Sequence, residues 1–258
     1  MKRFTFTVDD NIRVLRELTK GDYVSLFSHP YLAMYRRLHE RFALKVQLNL
    51  FYEIGDFTLA DVTDRYKEEW RENADWLKLS FHSRAENIRR PYENSPYEEV
   101  YADCDAVHRE ILRFASKENL AKTTTLHFCV ATNGGVSALS DLGVKGLLGL
   151  YGSDEAPRVS YQNTPEEGAR LRRGEIVCRE GMHYAGIDAV LNAHERDENL
   201  ALLEPLSDRE FVKVMIHEQY FYPDYERYQS DFEEKLSAVF SFLSEKGFRS
   251  VFFENCIE

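Results

Sequence analysis

The segment Phe4-Thr5-Phe6-Thr7-Val8-Asp9-Asp10 carries an apolar, alternating run into two adjacent carboxylates. In a β-strand Phe4, Phe6 and Val8 share one face, and Thr5 and Thr7 the other. Neighbouring anions repel. A bound cation, or a reaction that uses one carboxylate as a base, is the chemistry that would offset the cost. The plainer reading is that Asp9-Asp10-Asn11 caps a helix starting near Ile12.

Three histidines extend the set. His82, His127 and His217 each sit on the polar face of an apolar, strand-like run, toward its C-terminal end. In α/β barrels the C-terminal strand ends form the active face, so Asp9, Asp10 and these histidines would converge there. A single strand histidine is more often a hydrogen-bonded core residue than a ligand. Three at equivalent positions beside an aspartate pair form a site candidate.

Two local clusters sharpen it. In His82-Ser83-Arg84-Ala85-Glu86, a helical turn after His82 would bring Glu86 onto the same side. His82 and Glu86 with a distant aspartate would then make a three-ligand site of the kind Zn²⁺ accepts, with a position left for water. The plainer expectation is that Glu86 pairs with Arg89 or Arg90 on a solvated helix. In Met215-Ile216-His217-Glu218-Gln219-Tyr220, a buried strand ends in a histidine and a carboxylate, which suits a general acid or base. The structural alternative makes Glu218 a loop carboxylate and Tyr220 a packing residue.

These residues need a scaffold that delivers strand ends to one place. Strand-like runs at about 46–53, 76–82, 124–130, 144–151, 211–217 and 248–253 alternate with helix-like runs. The helical runs lie at 12–20, after Pro30, and at 59–75, 97–119, 136–142 and 231–245. That alternation predicts a parallel sheet with helical crossovers. Residues 154–208 break the rhythm with charged turns and an expected hairpin around Gly174. They read as an elaboration on a single domain spanning 1–258.

At 258 residues the chain fits one α/β barrel domain, and 43% hydrophobic with 30% charged residues describes a folded protein with a sizeable core. A net charge of −11 argues against nucleic-acid or anionic-membrane binding. Four widely spaced cysteines form neither a zinc knuckle nor a disulfide framework. With no signal-like start and no apolar run approaching a membrane span, the expected location is the cytoplasm. Oligomeric state is left open.

Together the motifs resemble the polysaccharide (chitin and peptidoglycan) deacetylase family, built on a distorted (β/α)7-type barrel. Thr7-Val8-Asp9-Asp10 is similar to its T-F-D-D motif, which implies Asp9 as catalytic base and Asp10 as metal ligand. His82-Ser83-Arg84-Ala85-Glu86 resembles its H-[ST]-x-x-H metal motif, with Glu86 in place of the second histidine. Met215-Ile216-His217 resembles its L-x-H motif, which implies His217 as general acid. The Glu245-Lys246-Gly247-Phe248 stretch is similar to its closing segment. The family's R-P-P-Y-G motif has no counterpart after the fourth strand, where His127-Phe128-Cys129-Val130-Ala131-Thr132-Asn133-Gly134 stands.

The resemblance implies a metal-dependent hydrolase, with Zn²⁺ the expected ion on Asp10, His82 and Glu86. It would remove an acyl group from an amino sugar or related carbohydrate. His127, Glu218 and Tyr220 are the expected substrate contacts, with His127 alternatively a replacement ligand. Two competing readings are a non-catalytic member of the fold that binds a carbohydrate or other small ligand, and another metallohydrolase or glycosidase barrel in which Asp9 and Glu218 act as paired carboxylates.

Overall fold

The computed structural model describes residues 1–257. In chain order the first half holds β1 (Arg3–Asn11), α1 (Arg13–Lys20), α2 (Pro30–Phe42), β2 (Val46–Ile54), β3 (Phe57–Thr58), α3 (Lys67–Glu72), β4 (Leu77–Ala85) and α4 (Tyr97–Phe114). There follow β5 (Thr123–Thr124), α5 (Asn133–Asp141), β6 (Gly146–Gly149), α6 (Pro165–Arg172), β7 (Val177–Arg179), β8 (Met182–Gly186) and β9 (Ala189–Val190). The chain closes with α7 (Arg196–Leu203), β10 (Phe211–His217), α8 (Phe232–Glu245) and β11 (Arg249–Ser250).

The strands form two sheets. In one, β4, β2, β1, β10 and β9 lie side by side and parallel, with β3 antiparallel on β2 and β11 beside the start of β1. In the other, β5, β6 and β8 are parallel and β7 pairs antiparallel with β8. The sheets adjoin where β8 runs on into β9, and again at β4 and β5. At the second junction Leu79 N–H donates to Asn119 O (2.8 Å), Ala121 N–H to Leu79 O (2.9 Å) and Ser80 Oγ to Thr123 O (2.9 Å). The arrangement is a distorted, incompletely laddered (β/α)7-type barrel.

Alternation along β1 explains its layers. Phe4 and Phe6 face outward onto Phe240 of α8, with ring centroids 5.8 and 5.0 Å apart, and Phe6 also meets Tyr35 of α2. The inward faces are buried but polar. Gln47 Nε2 donates to Thr123 O and to Asn49 Oδ1, each at 2.8 Å, and Thr123 Oγ1 donates to Gln47 Oε1 at 3.0 Å. These bonds tie β2 to β5 across the interior and satisfy the Gln47 amide at both its oxygen and its nitrogen.

Several boundaries differ from the sequence reading. The expected helix at 59–75 splits into a short 3₁₀ turn (Leu59–Asp61) and α3, because the Asp61 carboxylate is engaged by Thr58 and Val62 leaves the helical region. The fourth strand stops at Thr124 instead of reaching 130. Phe128 and Cys129 adopt left-handed backbone (φ 61° and 57°), which turns the chain out of the sheet. The last strand shrinks to two residues against β1.

Within 154–208 the hairpin is present as β7–β8, but its turn is Glu180-Gly181. Gly174, at φ 90°, follows α6 instead, with its N–H on Leu171 O. The hairpin's second strand pairs parallel with β6 in the smaller sheet, and β9 after it pairs with β10 in the larger one, so this region contributes to the barrel wall itself.

Candidate metal centre and its pocket

β1 delivers both aspartates through a bulge. Val8 pairs with Leu48 but Asn11 with Leu50, so β1 carries one residue more than its neighbour, and Asp10 sits at φ 65°. Strict alternation would send Asp10 outward behind Asp9. The extra residue in left-handed conformation, which aspartate tolerates better than most, brings it inward too. Neither caps α1, the role that composition alone would give them. That helix is capped from across the chain by Glu218, whose carboxylate accepts from Ile12, Arg13 and Val14 N–H at 2.8, 2.9 and 2.7 Å.

His82 points into the same space from β4. Its Nδ1 lies against Thr125 O, and a carbonyl only accepts, so Nδ1 carries the proton. Nε2 is left with its lone pair, 3.0 Å from Asp10 Oδ1 and 3.2 Å from His127 Nδ1. His127 Nδ1 is itself 3.4 Å from Asp10 Oδ1. Asp10, His82 and His127 thus offer three donor atoms that all lie within 4.8 Å of one another. The second Asp10 oxygen accepts from Gln219 Nε2 at 2.7 Å, which fixes the carboxylate. A carboxylate oxygen and two imidazole nitrogens converging in this way fit a divalent cation.

Burial works to raise the Asp10 pKa, but the contacts with His127 and His82 outweigh it, and the carboxyl is held well below the usual carboxylate range. Its neighbour behaves oppositely. Burial pushes Asp9 well above that range, against the Asn49 amide, which donates to Asp9 Oδ1 at 2.6 Å, and with Asp10 adding to the rise. Burial also lowers the His82 pKa, despite Asp10. Two adjacent carboxylates therefore have separate characters, one anionic and one basic.

His217 ends β10 opposite Asp9 in register. Its backbone N–H and its Nδ1 both meet Asn192 Oδ1, at 3.1 and 2.8 Å. The backbone donor identifies that atom as the amide oxygen, so Nδ1 of His217 is protonated and Nε2 is not. Burial lowers its pKa. Asp9, Asp10, His82, His127, His217 and Tyr220 line one cavity of about 410 Å³, within the size range of small-molecule sites.

Two expected residues lie elsewhere. Glu86 is exposed on the turn after β4, beside Glu53 and Asn87 in a separate surface cavity. β4 stays extended through Ala85, so His82 and Glu86 are separated by about 13 Å of strand rather than one helical turn. His127 stands where Glu86 was expected. Glu218 is fully buried with both oxygens on the α1 backbone. It has none free for substrate and cannot pair with Asp9 as a glycosidase carboxylate.

The sequence reading assigned no role to Asn49, Gln219 or Asn192. Asn49 was visible as a polar residue on the inward face of β2. Gln219 and Asn192 have no local signature, since their partners lie far along the chain. Among the described residues no helix is long and apolar enough to cross a membrane.

No protein-family model matches this chain, and no curated protein sequence does. Solved structures match over its whole length. A CE4 family pseudoenzyme from Bacillus anthracis shares 11% identity at TM-score 0.54 over 100% of this chain and 66% of its own. A 4-alpha-glucanotransferase from Thermococcus litoralis shares 15% at TM-score 0.62, over 98% of this chain and 40% of its own. A protein from Enterococcus faecalis provisionally assigned to cellobiose-phosphate cleavage shares 11% at TM-score 0.54, over 100% of this chain and 99% of its own. The present chain thus spans about two thirds of the pseudoenzyme and under half of the transferase. At these identities the likeness is one of architecture: the chain adopts a divergent polysaccharide-deacetylase-like fold.

Proposed function

We propose that this protein is a metal-dependent hydrolase of deacetylase type that removes an acyl group from a carbohydrate. The observation that carries the reading is the meeting of His82 Nε2, His127 Nδ1 and Asp10 Oδ1 beside a second, more basic carboxylate on Asp9. A divalent cation held by Asp10, His82 and His127, with Zn²⁺ suited to two nitrogens and a carboxylate, would polarise the acyl oxygen and acidify water.

The chain's own groups supply the proton transfers. Asp9, raised by burial and oriented by Asn49, accepts the proton of the attacking water. The water oxygen bonds the acyl carbon, and the bond from that carbon to the sugar nitrogen or oxygen breaks. His217, held by Asn192 with Nε2 free, takes up at Nε2 the proton that Asp9 accepted and passes it to the leaving nitrogen or oxygen, which returns Asp9 to the carboxylate. Tyr220, 6.1 Å from the His217 ring, and Phe51, against His82 and His127, wall the site and limit water. The matched structures named above, a glucanotransferase and a cellobiose-phosphate protein, support a carbohydrate as substrate.

The test is acetate release from N- and O-acetylated sugars by metal-loaded protein, with Asp9→Asn abolishing it. Failure to retain any divalent ion at saturating supply would remove this reading.

One observation favours a second reading, ligand binding without turnover. No lysine or arginine lies within 4.0 Å of Asp9 among the described residues, and its hydrogen-bond partner is the neutral Asn49. On that reading Asp9→Asn leaves sugar binding unchanged and no acetate appears with wild-type protein.

A further inference from the structure

The same cavity carries two guanidinium groups that the hydrolytic reading does not use. Arg158 comes from the loop after β6 and Arg227 from the loop after β10, and both line the cavity whose floor holds Asp9 and Asp10. Arg158 spends one of its five donors on Phe128 O at 3.0 Å. No carboxylate lies within 4.0 Å of it among the described residues. The ion-pair partner of Arg227 is its sequence neighbour Glu226, 3.6 Å away with both side chains exposed. Such a pair holds its partner weakly.

An arginine without a carboxylate partner, Arg158, beside one paired only to its exposed neighbour, Arg227, stands out in a chain with 44 acidic against 33 basic residues. Most arginines here are paired, among them Arg37 with Glu233, Arg172 with Asp154 and Arg209 with Asp188. Arg158 is half-buried, so it gives up some hydration without a partner anion. A neutral sugar needs hydroxyl partners, not two cations reaching in from separate loops. A planar fork of N–H donors matches phosphate and carboxylate oxygens.

We propose that the cavity takes an anionic carbohydrate, a sugar bearing a phosphate or carboxylate, with Arg158 and Arg227 holding the anion at the mouth. This rests on the deacetylase-type reading for the acyl end of the substrate. The anion is placed away from the floor carboxylates, so the sugar spans the two.

Calorimetric titration of the full chain, metal-free and metal-loaded, with glucose, its 1- and 6-phosphates and glucuronate tests it. The expected result is about tenfold or tighter binding of a phosphorylated or carboxylated sugar than of its neutral counterpart. The phosphate and glucuronate arms identify which anion is taken. Arg158→Gln and Arg227→Gln each shrink the preference and together remove it, while Arg158→Lys keeps part of it. Thermal melts verify that the variants fold. Equal affinity for charged and neutral sugars, or a preference that survives the double variant, overturns the proposal. Acetate release is scored separately. An anion preference without release supports this proposal against the catalytic reading, and equal kcat/KM on neutral and charged N-acetyl sugars does the reverse.

Discussion

Asn49 on β2 donates its amide to Asp9 on β1 at 2.6 Å, and is itself held by Gln47 at 2.8 Å. A neutral donor rather than a cation orients the candidate base. The Asn49 bond is also what restrains the rise of the Asp9 pKa.

Removing that donor has a directional outcome. In Asn49→Ala the Asp9 carboxylate loses its hydrogen bond, so its pKa climbs further. The acid limb of the kcat/KM profile then moves to higher pH, and activity at fixed neutral pH falls. An unchanged acid limb would separate Asp9 from the titration.

Metal affinity discriminates His127 from Glu86. His127→Ala removes one of three converging donor atoms and is expected to weaken Zn²⁺ or Co²⁺ binding beyond the roughly 10–100-fold typical of losing a supporting partner. Glu86→Gln, on an exposed turn and outside the converging donors, removes only a longer-range charge felt at Asp10 and should change the dissociation constant far less than His127→Ala does. Equilibrium dialysis against a competing chelator measures both.

Glu218 is a stability residue. Glu218→Ala strands three backbone N–H groups at the start of α1, in part buried, at about 1–3 kcal/mol for each that water does not reach. Denaturant unfolding should show a loss of about 3 kcal/mol or more. Metal binding by the folded fraction should persist, because no oxygen of Glu218 belongs to the converging donors.

Acid sensitivity has a source remote from the pocket. His108 on α4 is buried, with Nε2 3.5 Å from Cys104 Sγ, and burial lowers its pKa to about 4. A depressed folded-state pKa means stability is fully present above the unfolded value of about 6.5 and is lost as pH falls toward about 4. The loss amounts to about 3 kcal/mol across that window. His108→Leu should flatten the dependence of unfolding free energy between those pH values. An equally steep dependence in the variant would assign the acid sensitivity to other groups.

The sequence carried most of the strand-end logic. Periodicity placed β1, β2, β4 and β10 close to their observed positions, and β10 to the residue, because long runs with one apolar face leave little freedom in register. The convergence of Asp9, Asp10, His82, His127 and His217 followed from those strands. The set of converging donor atoms did not follow. It depended on whether the chain after His82 turned helically or stayed extended, and β4 continues to Ala85. It depended also on the left-handed Phe128 and Cys129, non-glycine positions for which no sequence rule predicts φ. Glu218 was misread because a carboxylate beside a strand-end histidine looks the same in sequence whether it faces substrate or reaches some 200 positions back to a helix end.

The junction of β4 and β5 has a mechanical meaning. The barrel wall is two panels, and along this edge they are fastened by a few backbone and side-chain bonds, including His82 to Thr125, instead of a continuous ladder. Asp10 and His82 belong to one panel, while His127 follows the short strand of the other. A group gripped by all three acts as a latch across the edge. Occupying the centre and closing the barrel are then one equilibrium, and amide exchange around residues 120–127 should slow as the latch fills.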